Sequence, residues 1–179
     1  YVTLLGLLAV TGLRISEALA LDKTDFDLAQ GVLTIRRTKF DKTRLVPVHA
    51  TTRDVLAVYG SRRDQVFRSP KTPGFFVSEW GSRLEESGVR RTFYTLSRKI
   101  GLRGPDASHG PRLHDFRHAF AVRTVLYWYQ SGANVDAQMP TLSTYLGHGH
   151  VSDTYWYLSS VPELLQLAVA RIDDGGELS

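Results

Sequence analysis

The sequence predicts a mainly α fold (α+β) in which a helical core carries one small antiparallel β-sheet. Apolar residues recur at helical spacing in several separate segments. A single pair of short β-branched runs flanks a polar turn. The 179 residues, 42% of them apolar, suffice for one core and are few for two.

Leu4 to Val10 is apolar throughout, Thr11 and Gly12 interrupt it, and a second helix runs from Arg14 through Ser16, Glu17 and Ala18 to Leu21. Arg14 therefore stands just past a turn. Val32–Ile35 and Leu45–Val48 flank the polar run from Lys39 to Thr43 and predict a hairpin with a basic tip. Thr51 or Thr52 is expected to cap a helix reaching about Val66, followed by a Pro/Gly loop and a short strand at Phe75–Val77. Val89, Phe93, Leu96 and Ile100 share one helical face, with Arg91 and Arg98 opposite.

Leu113 to Gln130 continues at helical spacing and carries His114 and Arg117. A Ser-Gly-Ala-Asn loop follows, then a short helix over Thr141–Leu146 that Gly147 stops in front of His148. Another short helix carries Thr154–Leu158. Ser160 and Glu163 form a capping box ahead of the apolar stripe Val161, Leu164, Leu165, Ala168 and Ile172. Residues 1–172 are expected to form one domain and 173–179 a flexible acidic tail. Because Tyr1 opens in mid-helix, the chain reads as a longer protein lacking its N-terminal part.

No apolar run reaches the roughly 20 residues that cross a bilayer, so no membrane partner and a cytoplasmic location are expected. The chain has no cysteine, which excludes thiol catalysis, disulfides and cysteine metal sites. Net charge is +4, yet residues 36–117 hold 18 Lys and Arg against 8 Asp and Glu, a local balance of +10. Segregated positive charge suits a polyanion such as DNA.

Four signatures occur in order: Thr-Gly-Leu-Arg14-Ile-Ser-Glu, Lys39 in the basic hairpin, His114-Asp-Phe-Arg117-His, and Leu-Gly-His148 followed nine positions later by Tyr157. Together, from about Thr11 to Ala170, they resemble the tyrosine recombinase, or phage integrase, family. The resemblance implies a catalytic core that cuts and rejoins DNA through a 3′-phosphotyrosyl intermediate, with neither a cofactor nor a metal. It implies Tyr157 as nucleophile, Arg14 and Arg117 on the non-bridging phosphate oxygens, His114 as base, and His148 beside the scissile phosphate. Lys39 is implied as the acid for the leaving 5′ oxygen. Lys42, Arg44, Arg91 and Arg98 are expected on DNA, with the partner a double-stranded recombination site bound by a homotetramer. Glu17 and Asp115 match motif positions that orient neighbours. His118 follows a family pattern read as structural.

The chemistry of these residue types agrees. Cleavage builds negative charge on two oxygens that a guanidinium binds through paired hydrogen bonds while staying charged. A phenol of ordinary pKa, about 10, is only about a thousandth ionised at neutral pH, so a cationic surrounding and a base assist it. The Thr-x-x-Tyr spacing of Thr154 and Tyr157 selects Tyr157 over its neighbour Tyr155. Three other readings are open: relaxation of DNA by a type IB topoisomerase, a DNA-binding module without catalysis, and a zinc site built from His114, His118, His148 and His150.

Overall fold

The computed structural model describes residues 1–36, 43–68 and 71–159, together with Pro162, Leu164 and Gln166. The chain divides into two compact units, residues 1–117 and 118–179. The first holds 20 Lys and Arg against 12 Asp and Glu, a net +8; the second holds 2 against 6, a net −4.

In the first unit, α1 (Val2–Thr11) ends on Gly12, whose φ of 62° is the left-handed conformation that closes a helix. The chain turns at once into α2 (Ile15–Ala20). A 3-10 turn, Lys23–Asp25, leads to a three-stranded antiparallel sheet of β1 (Phe26–Asp27), β2 (Val32–Ile35) and β3 (Arg44–Pro47), in that spatial order. Leu33 pairs with Val46 and Ile35 with Arg44. The alternation in β2 buries Leu33 and Ile35 on one face, as a period of two requires. The two strands of the expected hairpin are thus present, and β1 is a strand that its two-residue length hid from pattern reading.

Helix α3 (Ala50–Val66) begins two or three residues earlier than expected, because His49 is its cap. The Nδ1 of His49 accepts from the Thr51 N–H at 3.3 Å, so an imidazole does what a Thr51 or Thr52 hydroxyl was expected to do. Phe75–Val77 is no strand: Gly74 and Val77 form isolated bridges to Asp22 and Arg83, and Phe75 and Phe76 are core residues whose rings meet Tyr59 on a tilt. In α4 (Glu86–Lys99) the buried face runs through Val89, Phe93 and Ser97, four apart, whereas Leu96 and Ile100 are exposed. Ser97 fits inside by donating its hydroxyl to the Phe93 carbonyl at 2.8 Å. Leucines from α1 (Leu4, Leu7, Leu8) and α2 (Leu19) join this core. Burying each such side chain stabilises by about 1.5–3 kcal/mol.

Helix α5 (Asp115–Gln130) starts after His114, which lies in the turn ahead of it rather than on the helix. In the second unit α6 spans Val135–Leu146, twice the expected length. Pro140 lies inside the helix, and Asn134 caps it by accepting from the Ala137 N–H at 3.1 Å. Val135, Met139, Leu142 and Leu146 bury a continuous stripe across the proline. Helix α7 (Ser152–Ser159) follows. Leu164 is fully buried in this unit's core with Ala121, Val125 and Met139. The capping box at Ser160 and Glu163 and the rest of the expected stripe lie outside the described residues. Among the described residues no helix is long and apolar enough to cross a membrane.

Candidate active site

In the first unit the site is built on the α1–α2 turn. Arg14, in extended conformation, caps α2, and its backbone N–H donates to Glu17 Oε2 at 2.9 Å. Arg14 Nη1 donates to Glu17 Oε1 at 3.0 Å, and Arg44 reaches the same carboxylate with both terminal nitrogens at 2.9 and 2.8 Å. Burial alone would raise the Glu17 pKa; the hydrogen bonds and charges of Arg44 and Arg14 outweigh it and hold the carboxyl below its ordinary range. A charged Glu17 thus fixes one arginine from the α2 turn and one from β3. Arg44, expected on DNA, is a nearly buried partner of this carboxylate.

Arg117 is 2% exposed. Its Nη1 donates to the Gly12 carbonyl at 2.9 Å, so the first turn of α5 is tied to the turn that presents Arg14. His114 precedes Arg117, and its carbonyl accepts the Arg117 backbone N–H at 3.1 Å. The imidazole pKa is lowered, chiefly by burial, then by the charges of Arg117, Arg112 and Arg14, with Asp115 opposing. His114 is thereby held neutral, the form that accepts a proton. Asp115 is engaged by Arg112 through its backbone N–H at 2.9 Å and its side chain. A cavity of ≈ 320 Å³ is lined by Arg14, Arg90, Tyr94, Arg112 and His114, with Glu86 as its carboxylate.

Arg103 was not singled out in the sequence, yet it shapes this region. It is buried, donates to the carbonyls of Ser108 and Pro111 at 3.1 and 2.8 Å, and lies 4.3 Å over the Tyr94 ring. It holds the loop that delivers Arg112–His114. No local pattern marks it, because its partners are carbonyls set by the loop's path. Arg63 and Arg83 likewise spend their donors on carbonyls of the scaffold, so the positive charge of residues 36–117 is not all surface charge. Arg91 is exposed on α4, and exposed Arg98 donates to the Pro105 carbonyl at 3.0 Å.

In the second unit the left-handed Gly147, φ 70°, ends α6 and aims His148, whose backbone N–H donates to the Ser143 carbonyl at 3.0 Å. His148 Nδ1 lies 2.7 Å from the Oγ1 of Thr154, which is fully buried. Tyr157, one helical turn after Thr154, is 4% exposed; its ring lies nearly parallel to the His148 ring at 6.1 Å. The His118 ring is 5.1 Å away on a tilt, and Trp156 meets Tyr157 edge-on at 5.7 Å. His118 thus lies against Tyr157 and Thr154 against His148, and the Thr-x-x-Tyr spacing is the signal that marks the threonine.

Tyr155 points elsewhere. Its hydroxyl donates to Asp136 Oδ1 at 3.3 Å, and burial together with that carboxylate raises its pKa, disfavouring a phenolate. His150 is exposed and joins no cluster: among the described residues no group of three or more His, Asp or Glu could hold a metal. Lys39 and Lys42 lie outside the described residues.

The phage integrase family model matches residues 1–163. The chain belongs to the phage integrase family. Within that family it is 51% identical over 174 residues to a putative integrase/recombinase, y4rB, of Sinorhizobium fredii, covering 97% of this chain and 55% of that protein. It is 29% identical over 154 residues to tyrosine recombinase XerC of Chlamydia pneumoniae, covering 86% and 45%. This phage integrase domain thus spans about half the length of the curated relatives it matches. Its fold is that of XerA recombinase, with a TM-score of 0.74 at 24% identity over 94% of this chain and 55% of the other. It is also that of XerH bound to a difH substrate after cleavage, with a TM-score of 0.69 at 24% identity over 94% and 44%. The mainly α architecture with a small sheet agrees with both.

Proposed function

We propose that residues 1–172 are the catalytic domain of a site-specific DNA recombinase that cleaves and rejoins strands through Tyr157. The observation that carries this reading is the placement of Tyr157, on the α7 face it shares with Thr154 and against the ring of His148, in a member of this family.

The phenolic oxygen of Tyr157 attacks phosphorus, the bond to the 5′ oxygen breaks, and a 3′-phosphotyrosyl link and a 5′ hydroxyl result. Neutral His114 accepts the phenolic proton, and Lys39 gives one to the leaving oxygen. Arg14 and Arg117 bind the non-bridging oxygens, where charge grows in the transition state. His148, held by Thr154 through Nδ1, adds a hydrogen bond to the phosphate from its imidazole ring. The reverse attack by a 5′ hydroxyl of a partner strand releases the tyrosine and exchanges strands without an energy source. A tetramer on double-stranded DNA supplies the four strands in the cytoplasm. Lys42, Arg91 and Arg98 contact the backbone, while Arg44 acts through Glu17.

The test incubates the full-length protein with nicked duplexes carrying its own junction and assays covalent protein–DNA adduct. Tyr155→Phe should retain the adduct and Tyr157→Phe should abolish it. Adduct persisting in Tyr157→Phe would overturn the assignment.

A further inference from the structure

Arg90 on α4 and Arg112 ahead of α5 touch no reacting atom in the mechanism just described, yet both line the ≈ 320 Å³ cavity that Arg14 and His114 line. Three guanidiniums and an imidazole there face one carboxylate, Glu86, and the hollow is cationic. Its volume is about ten times the roughly 30 Å³ share of a liquid water, more than one phosphate group fills.

Each of these two arginines has a carboxylate partner. Arg90 Nη2 donates to Glu86 Oε1 at 2.5 Å, and Arg112 donates to Asp115 Oδ1 from Nε at 3.2 Å and Nη2 at 3.0 Å. A guanidinium carries five N–H donors, so neither pairing exhausts its arginine. Both side chains are more than half exposed, at 55% and 68%, and exposed pairs of this kind stabilise the fold little. An incoming phosphate therefore meets donors that are in place and only loosely engaged. Tyr94, which lines the same cavity, is held by the buried Arg103 against the face of its ring.

We propose that Arg90 and Arg112 form a second phosphate subsite, holding the DNA backbone phosphate adjacent to the one engaged by Arg14. The inference rests on the DNA-cleaving reading above. One bound phosphate fixes a point on the strand, whereas two fix its direction, and direction sets the in-line approach of a nucleophile to the leaving oxygen. Contacts of this kind position the strand without reading its sequence.

The experiment uses the full-length protein and duplexes carrying its own junction, in which single phosphates around the cleavage position are replaced by neutral methylphosphonates. DNA affinity is measured at several salt concentrations for the natural protein, Arg90→Gln, Arg112→Gln and a control, Arg53→Gln, whose exposed arginine pairs with Asp54 elsewhere. One methylphosphonate beside the scissile position should weaken the natural protein about tenfold. Each cavity variant should weaken binding on unmodified DNA, lower the log–log salt slope by about one, and lose nothing further at that methylphosphonate. Cavity variants that keep the control's salt slope, or that still lose about tenfold at that position, would overturn the subsite and leave both arginines as surface ion pairs. Failure of the natural protein to form any Tyr157 adduct would instead strike the DNA-cleaving reading. Thermal melts of the variants separate a lost contact from a lost fold.

Discussion

His114 shows at the scale of one residue how the first unit prepares chemistry. Burial and three arginines lower its pKa, so the imidazole stays neutral below the ordinary histidine value of about 6.5. A histidine whose folded pKa is depressed contributes stability that is present above that ordinary value and lost as pH falls toward the folded one. The imidazole resonances, followed by NMR, should therefore titrate below pH 6.5 or so. Arg112→Gln removes one of the opposing charges and should move the midpoint up; a midpoint that stays put or falls would contradict the cause assigned here. The identity of His114 was legible from the motif, whereas its environment was not. The lowering depends on Arg112 and Arg14, one neighbouring in sequence and the other a hundred residues away. Arg44 teaches the same lesson in reverse. Sequence counts it among basic residues for DNA, and only the β3 register reveals that it is committed to Glu17.

At the scale of elements, the turn between α6 and α7 does the positioning. Gly147 adopts a left-handed conformation that an L side chain other than Asn or Asp resists. Gly147→Ala should lower stability by about 1 kcal/mol, or roughly 2–4 °C in Tm for a chain of this size. It should also cut adduct formation about tenfold or more at unchanged DNA affinity, because His148 leaves its place beside Thr154 and Tyr157. Gly147→Asn should restore most of the cleavage; an alanine variant as active as the natural protein would show that the turn does not matter. The glycine stop was readable in the sequence, as were α1, α2 and the strands β2 and β3, since each rests on local pattern. What escaped was decided by tertiary contacts. Pro140 sits inside α6 because the stripe from Val135 to Leu146 outweighs the lost hydrogen bond. Ser97 rather than Leu96 faces inward on α4 because its hydroxyl finds the Phe93 carbonyl.

At the scale of the whole molecule, the candidate residues are divided between two compact units: Arg14, His114 and Arg117 in the first, His148 and Tyr157 in the second. Their sequence order was legible from the motifs; this division was not, because α5 crosses the boundary at Arg117 without a break in pattern. The charge follows the same division, +8 against −4. DNA affinity of the full-length protein should fall linearly in log–log terms as salt rises, and Tyr157→Phe should share the slope, because the phenol releases no counterion. A shallower slope in Tyr157→Phe would mean that the tyrosine's neighbourhood contributes to the grip. The opposite signs also bear on timing. In the field of a nucleic acid, within a screening length of about 8 Å at physiological salt, the first unit is attracted while the second is repelled. For the recombinase proposed above, this predicts an encounter led by the arginine-bearing unit, with the tyrosine-bearing unit opposed by the same field. Such a protein would hold its substrate before the nucleophile reached it, and a passing collision with DNA would end in release more often than in a cut.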